Sequence, residues 1–190
     1  AAATLGCVAD AGSRAAVASA GGVEALLTMH CELAAIHTLC SLADFSGSHG
    51  ALARGLASLV ALASSGSGDA QAYAIAAVHK LSCGCEALAH EALATSEPAI
   101  HLLVEQLRGS TVERTAAVSS LWHLCGRTEA QAAIVSAGGV PSLVAVAEAS
   151  DVAASARREA ALVLASLSTA AHADAIAVCG GANVLIMALE

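Results

Sequence analysis

The chain has 190 residues, of which 57% are apolar, only 2% are aromatic and 50 are alanine. Alanine is the best helix former, and the β-branched and aromatic strand formers are sparse, so this composition excludes an all-β domain and an aromatic platform for nucleic acid. Eight basic and 16 acidic residues give a net charge of −8, which argues against nucleic acid or an anionic membrane as the main partner.

The predicted elements begin with a helix over AAATLGCVAD and a short helix closed by two glycines. That glycine-closed segment occurs three times, as AVASAGGV (Ala16–Val23), AIVSAGGV (Ala133–Val140) and AIAVCGGA (Ala175–Ala182). An apolar second helix follows each copy, and weaker copies of this second helix place Leu56 and Ile100 at the same position. The five anchors, 23, 56, 100, 140 and 182, are 33, 44, 40 and 42 residues apart. A repeat of about 40 residues is therefore predicted.

A longer third helical segment follows each second helix and repeats with the same period. Its copies are LAAIHTLCSLAD from Leu33, AAVHKLSCG from Ala76, AAVSSLWHLCG from Ala116 and EAALVLASLS from Glu159. The matching leucines are Leu5, Leu39, Leu81, Leu121 and Leu164, which are 34, 42, 40 and 43 residues apart. Ala35, Leu39 and Leu42 recur at i, i+4 and i+7, the spacing of one buried helix stripe.

Each unit thus consists of a short helix, a glycine turn, a second helix, a polar loop and a long third helix. The glycines supply the left-handed backbone of a sharp reversal. Ser96-Glu97-Pro98 provides a cap and a helix start, and Pro141 can occupy the first turn of a helix. Polar loops are predicted over Ser64–Asp69 and Glu148–Asp151.

These units resemble the armadillo repeat, through the AGGV-type turn, the apolar second helix and the A-A-x-x-x-L-x-x-L third helix. HEAT repeats have a similar period, but they contain two helices and lack the double-glycine turn. The resemblance implies an all-α fold, a right-handed α-solenoid of three-helix repeats. We expect repeats over roughly 1–30, 31–65, 66–109, 110–150 and 151–190, and we expect both ends to continue in a longer protein.

Motifs that carry catalysis or bind phosphate are not found in the sequence: it contains no P-loop, nucleophile elbow, HExxH or kinase signature. We therefore predict no catalytic residues and no cofactor. The best candidate metal ligands are His79, Cys83, Cys85 and His90, but their spacing matches no familiar zinc finger. Cysteine elsewhere in the chain lies among alanine and leucine as a small core residue, so we predict no metal site.

In the armadillo family the third helices line a concave surface that binds extended peptides or partner helices. In relatives of importin-α and β-catenin, an asparagine two residues after the key leucine clamps the peptide, and in the importin type a tryptophan lies two residues before that leucine. Here the first row is Cys7, Ser41, Cys83, His123 and Ser166, and the second is Ala3, His37, His79, Ser119 and Leu162. Both departures argue against a nuclear-import receptor and a peptide-cargo carrier.

The substituted rows still predict a protein-binding strip of small and polar residues. Its members are His37, Ser41, His79, Cys83, Ser119, His123, Arg158 and Ser166. Glu113, Arg114 and Arg157, near the starts of third helices, are further candidates for charged contacts. Three histidines in this strip predict binding that changes with pH near neutrality.

The seven cysteines are an odd number without framework spacing, which favours a reducing, intracellular compartment. The alanine excess and the preference for arginine over lysine are typical of a GC-rich coding genome, and on that basis we expect the cytoplasm or the cilium with its axoneme. The longest uncharged run, Ala130–Ala147, is interrupted by Gly138, Gly139 and Pro141, so no membrane span is predicted. The predicted function is a protein–protein interaction scaffold for partner proteins or peptides in a ciliary or cytoskeletal assembly. The alternative is the substrate-recognition arm of a larger enzyme such as a ubiquitin ligase.

Overall fold

The computed structural model describes residues 13, 15–17, 20–28, 33–44, 46–65, 68–84, 87–168 and 173–187. These residues form helices and turns, and no strand occurs within those ranges. The predicted all-α fold class is confirmed. The chain divides into two compact units, Ala1–Leu93 (unit 1) and Ala94–Glu190 (unit 2).

Unit 1 is built from helices of six to 16 residues. They are α1 (Gly22–Thr28), α2 (Leu33–Leu42), a 3₁₀ turn (Ser46–Ser48), α3 (His49–Arg54), α4 (Leu56–Ser65), α5 (Gly68–Cys83) and α6 (Ala87–Thr95), whose last two residues belong to unit 2. The long helices α2 and α5 pack along each other, and each also packs on the second helix that precedes it, α1 or α4. These long helices are the predicted third helices.

Unit 2 repeats this arrangement. Its helices are α7 (Glu97–Gln106), α8 (Thr111–Leu124), α9 (Thr128–Ser136), α10 (Gly139–Glu148), α11 (Ala154–Leu167), α12 (Ala173–Val178) and α13 (Gly181–Met187). The third helices α8 and α11 pack together, and each packs on its own second helix, α7 or α10. Each third helix thus has one side against its own repeat, one flank against the neighbouring third helix, and a remaining exposed side.

The double glycines have two separate physical roles. The first glycine of each pair has a positive φ, 73° at Gly21, 71° at Gly138 and 77° at Gly180, as predicted from the sequence. The second glycine lies so close to the preceding short helix that a Cβ at Gly139 would be 2.8 Å from the carbonyl oxygen of Ile134. A side chain at either position would strain the turn or push the two helices apart.

Three of the third helices begin earlier than their apolar pattern indicated. The structure starts them at Gly68, Thr111 and Ala154, whereas the pattern started at Ala76, Ala116 and Glu159. At α8 the capping box of Ser110 and Glu113, and not an apolar stripe, marks the start of the helix. The predicted loop over Ser64–Asp69 is correspondingly shorter, because α4 runs to Ser65 and α5 begins at Gly68.

Local signals read from the sequence are confirmed at two helix starts. The Ser96 hydroxyl accepts a hydrogen bond from the backbone N–H of Ala99, with Pro98 in the first turn of α7. Pro141 likewise lies in the first turn of α10. At α8, Ser110 and Glu113 form a capping box in which each side chain bonds the other residue's backbone N–H.

The core consists of the leucines that mark the repeat. Leu39, Leu81, Leu121 and Leu164 are all at most 1% exposed, which confirms the predicted helix phase, while Leu5 lies outside the described residues. Ala35 and Leu42 share the buried side of α2 with Leu39.

Within the described residues, no single helix is long and apolar enough to cross a membrane. One pair of helices, Thr128–Ser136 and Gly139–Glu148, meets the length and composition criteria together, but it is bent by 88° at the glycine turn.

Candidate protein-binding face

The exposed sides of the third helices form the candidate site, and we call them the third-helix face of each unit. In unit 1 this face belongs to α2 and α5, and in unit 2 to α8 and α11. Polar contacts at the ends of these helices determine how neighbouring third helices are aligned.

In unit 1 the C-terminal end of α2 is joined to α5 by a lysine. Lys80 Nζ donates to a carboxylate oxygen of Asp44 at 2.8 Å and to the carbonyl oxygen of Cys40 at 3.2 Å. Partial burial, the largest single effect, lowers the pKa of Lys80, but the hydrogen bond and charge of the Asp44 carboxylate together with the nearby Cys40 outweigh it, so the pKa lies above its usual value. The lysine therefore remains charged and caps the carbonyl end of the neighbouring third helix.

In unit 2 the contacts lie at both ends of the helix pair. Asp151, just before α11, accepts hydrogen bonds from the Thr111 hydroxyl at 2.9 Å and from the Arg114 guanidinium. These bonds, the one from Thr111 first, hold the pKa of Asp151 below its usual value. At the opposite ends, the Cys125 thiol lies near Ser166 and donates to the carbonyl oxygen of Trp122 at 3.1 Å, and burial raises the pKa of this thiol. The first turns of α8 and α11 meet and their last turns meet, so the two helices run parallel.

The predicted binding strip lies on these faces and is divided between the two units. His37, Cys83, His123 and Arg158 are exposed. The other four are half-buried: Ser41, His79, Ser119 and Ser166. The structure brings the first four strip residues in the chain together on α2 and α5, and the other four on α8 and α11. Their role in binding stays a prediction.

Members of the strip also make contacts within the protein. The His37 ring meets the edge of the Tyr73 ring, with a centroid distance of 4.9 Å and an interplanar angle of 84°. The Ser166 hydroxyl donates to the carbonyl oxygen of Val163 at 2.7 Å and lies near the Cys125 thiol at the end of α8. His37 and Ser166 therefore help to join neighbouring third helices, and less of each is available to a partner.

The other charged candidates also fall into two groups, those with a partner inside the fold and those that are exposed. Glu113 belongs to the capping box and Arg114 pairs with Asp151, so both act within the fold. Arg157 and Arg158 are exposed, and neither forms an ion pair with any residue that the structure describes.

Sequence reasoning missed two large apolar side chains on the face of unit 2. Trp122 on α8 is 37% exposed, and Leu162 on α11 is 40% exposed. Trp122 lies one position past the key leucine and so falls on neither of the two rows, whereas Leu162 occupies the position of the importin-type tryptophan. Helix phase contained part of this signal, because it places Leu162 on the far side of α11 from Leu164 and Trp122 about 100° around α8 from Leu121.

The candidate zinc ligands cannot be assembled from the described residues, because Cys85 lies outside them. Among the residues with described positions, no group of three or more His, Cys, Asp or Glu side chains is placed to hold a metal ion.

No protein-family model matches this chain, and no curated protein matches it. Among solved structures, an engineered protein from the Northeast Structural Genomics Consortium is similar with a TM-score of 0.78 and 27% identity, over 99% of this chain and 81% of that one. A second engineered protein from that consortium has a TM-score of 0.77 and 27% identity, over 93% of this chain and 45% of that one. A designed armadillo repeat protein, in complex with the peptide (KR)4, has a TM-score of 0.75 and 16% identity, over 98% of this chain and 81% of that one.

The fold is an α-solenoid of armadillo-type repeats. Three observations agree on this: the three helices per repeat, the glycine pair between the first and second helices, and the similarity to a designed armadillo repeat protein. In this arrangement one side of each third helix stays outside the core, so the polar and apolar side chains on that side are exposed.

Proposed function

We propose that this chain is a binding scaffold that holds peptide segments of partner proteins on its third-helix faces. One observation carries the proposal: Trp122, Leu162 and Arg158 are exposed on the outward side of third helices whose other side packs into the core. The exposed parts of these two apolar side chains, beside an unpaired cation, add nothing to the packing of the repeat and are typical of a contact surface.

The fold supports this function in general terms. A solenoid presents the same helix face in successive repeats, which gives an extended surface suited to an extended chain. The designed armadillo repeat neighbour is in complex with a peptide, (KR)4, and that is a property of the neighbour. For this chain we propose binding of partner peptides without catalysis or cofactor. More specifically, we propose that the binding takes place in a ciliary or cytoskeletal assembly.

The test compares two faces of the same protein. Peptides selected from a random phage-displayed library are measured by fluorescence anisotropy against the wild type and two double variants. The third-helix variant is His79→Ala with His123→Ala. The control is Glu105→Ala with Glu148→Ala, two exposed residues on second helices. We expect weaker binding only in the third-helix variant, and weaker binding only in the control would place the contact on the second helices and refute the proposal.

A further inference from the structure

The third-helix face of unit 2 combines apolar and cationic side chains on two adjacent helices. Trp122 and Leu162 lie on the exposed sides of α8 and α11, which run parallel and in contact. Arg158 precedes Leu162 by four residues, so the two side chains share one helix face about 6 Å apart along the axis. The guanidinium and the isobutyl group therefore offer two different contacts within the reach of one short peptide.

Basic and acidic side chains are equal in number around this face, Arg114, Arg157 and Arg158 against Glu113, Asp151 and Glu159, but they differ in whether they already have partners. Arg157 and Arg158 are exposed and lack an ion pair among the described residues. The acidic side chains nearby are largely engaged, since Glu113 completes the capping box and Asp151 pairs with Arg114. Glu159 is the exception, because it is half-buried on the flank of α11 and forms no ion pair with the described residues.

We infer that unit 2 binds a peptide segment in which acidic residues are spaced with large apolar residues, the carboxylate on Arg158 and the apolar side chain against Leu162 and Trp122. This inference rests on the proposed function and specifies the chemistry of the partner. An arginine on an exposed face favours a carboxylate because its fork of N–H donors matches the two oxygens. A basic peptide such as (KR)4 would place like charges on Arg157 and Arg158.

The spacing of the two contacts defines a probe. An extended peptide advances about 3.3–3.6 Å per residue and alternates its side chains, so residues two apart lie on one face about 7 Å from each other. The repeat Glu-Ser-Leu-Ser places glutamate and leucine alternately on the same side at that distance. The acidic probe is therefore two copies of Glu-Ser-Leu-Ser. Replacing its glutamates by lysine gives the charge-reversed probe, and replacing its leucines by serine gives the apolar-deleted probe.

Fluorescence anisotropy with these peptides tests the inference on the wild-type chain. We expect the acidic probe to bind at least tenfold more tightly than the charge-reversed probe and the apolar-deleted probe. Its affinity should fall as salt is raised, because exposed charge pairs are screened. Binding of the charge-reversed probe or of (KR)4, with weaker binding of the acidic probe, would overturn the inference and leave the proposed function standing. If none of these peptides binds, and library peptides do not depend on the third helices, the proposed function fails as well.

Variants of neighbouring residues locate the contact. Arg158→Glu should weaken binding of the acidic probe about fivefold or more, since it replaces an attraction by a repulsion. Arg157→Glu is the matched control, because it changes the net charge equally on the same helix but points about 100° away. We expect it to change affinity less than twofold. Equal losses in the two variants would mean that only the long-range charge matters, which refutes the contact with Arg158.

Two further substitutions separate the apolar and electrostatic contributions. Leu162→Ser should weaken binding of the acidic probe about fivefold and leave the affinity for the apolar-deleted probe unchanged. Glu159→Gln should make the acidic probe bind more tightly, because it removes the unpaired carboxylate beside Arg158 that would repel the probe. Unchanged binding of the acidic probe in both variants would overturn the inference. Far-UV circular dichroism of each variant confirms that the helices are retained.

Discussion

Truncation of Leu121 is the most direct test of the helix phase on which the repeat depends. Leu121 lies on the buried side of α8 and is 0% exposed. The change Leu121→Ala removes three carbon groups, and at about 0.8 kcal/mol each their burial contributes about 2.4 kcal/mol. The cavity adds to this cost, because the alanine-rich core has few side chains with rotamers that could fill it. We expect the free energy of unfolding to fall by about 3–5 kcal/mol, within the upper range for core leucine truncations.

The measurement is urea unfolding followed by two signals. Far-UV circular dichroism reports all helices, and fluorescence of Trp122, the single tryptophan, reports α8 and its surroundings. If the circular dichroism and fluorescence transitions coincide, a two-state free energy of unfolding can be calculated. If they separate, the fluorescence transition reports the loss of stability in unit 2. The matched control is Leu162→Ala on α11, which is 40% exposed and should cost about 1 kcal/mol or less. A loss below about 0.5 kcal/mol for Leu121→Ala, or equal losses for the two variants, would refute the assigned helix phase.

Three other predictions concern the ends of helices. Ser110→Ala removes half of the capping box and should lower the free energy of unfolding by about 1 kcal/mol, measured by urea unfolding; no change would mean that the cap is dispensable. Gly138→Ala, at a φ of 71°, should lower the free energy of unfolding by about 1–2 kcal/mol. Gly126→Ala is the control and should cost less, because φ is not positive there and a Cβ meets nothing within 4 Å. A larger loss at Gly126 than at Gly138 would contradict the turn geometry. The folded-state pKa of Asp151 is lowered, so its stabilisation is present at pH 7 and is lost below about pH 4 as the carboxyl gains a proton. Asp151→Asn should therefore lower the urea midpoint at pH 7 and make it less dependent on pH between 7 and 3, and an unaltered pH profile would refute the role of this carboxylate.

Much of the fold could be predicted because the necessary information is local in the sequence. The period follows from two sets of apolar landmarks, and the buried phase of Leu39, Leu81, Leu121 and Leu164 follows from 3.6-residue periodicity. The left-handed turns follow from paired glycines, because few other residues tolerate a positive φ. The early start of α8 was also present as Ser110 and Glu113, three residues apart in a capping box, although the apolar pattern alone did not reveal it.

The composition of the binding face depended on tertiary packing. Helix phase shows which side of α8 is exposed, but the partner of each side chain depends on how far neighbouring helices are shifted along their axes. That shift pairs Arg114 with Asp151, 37 residues away, which removes one predicted charge from the face, and it leaves Arg158 exposed beside Leu162. The sequence by itself determined the repeat and its core, because both depend on local periodicity. Only the tertiary structure decided which exposed residues are available to a partner, because this depends on contacts between residues far apart in the chain.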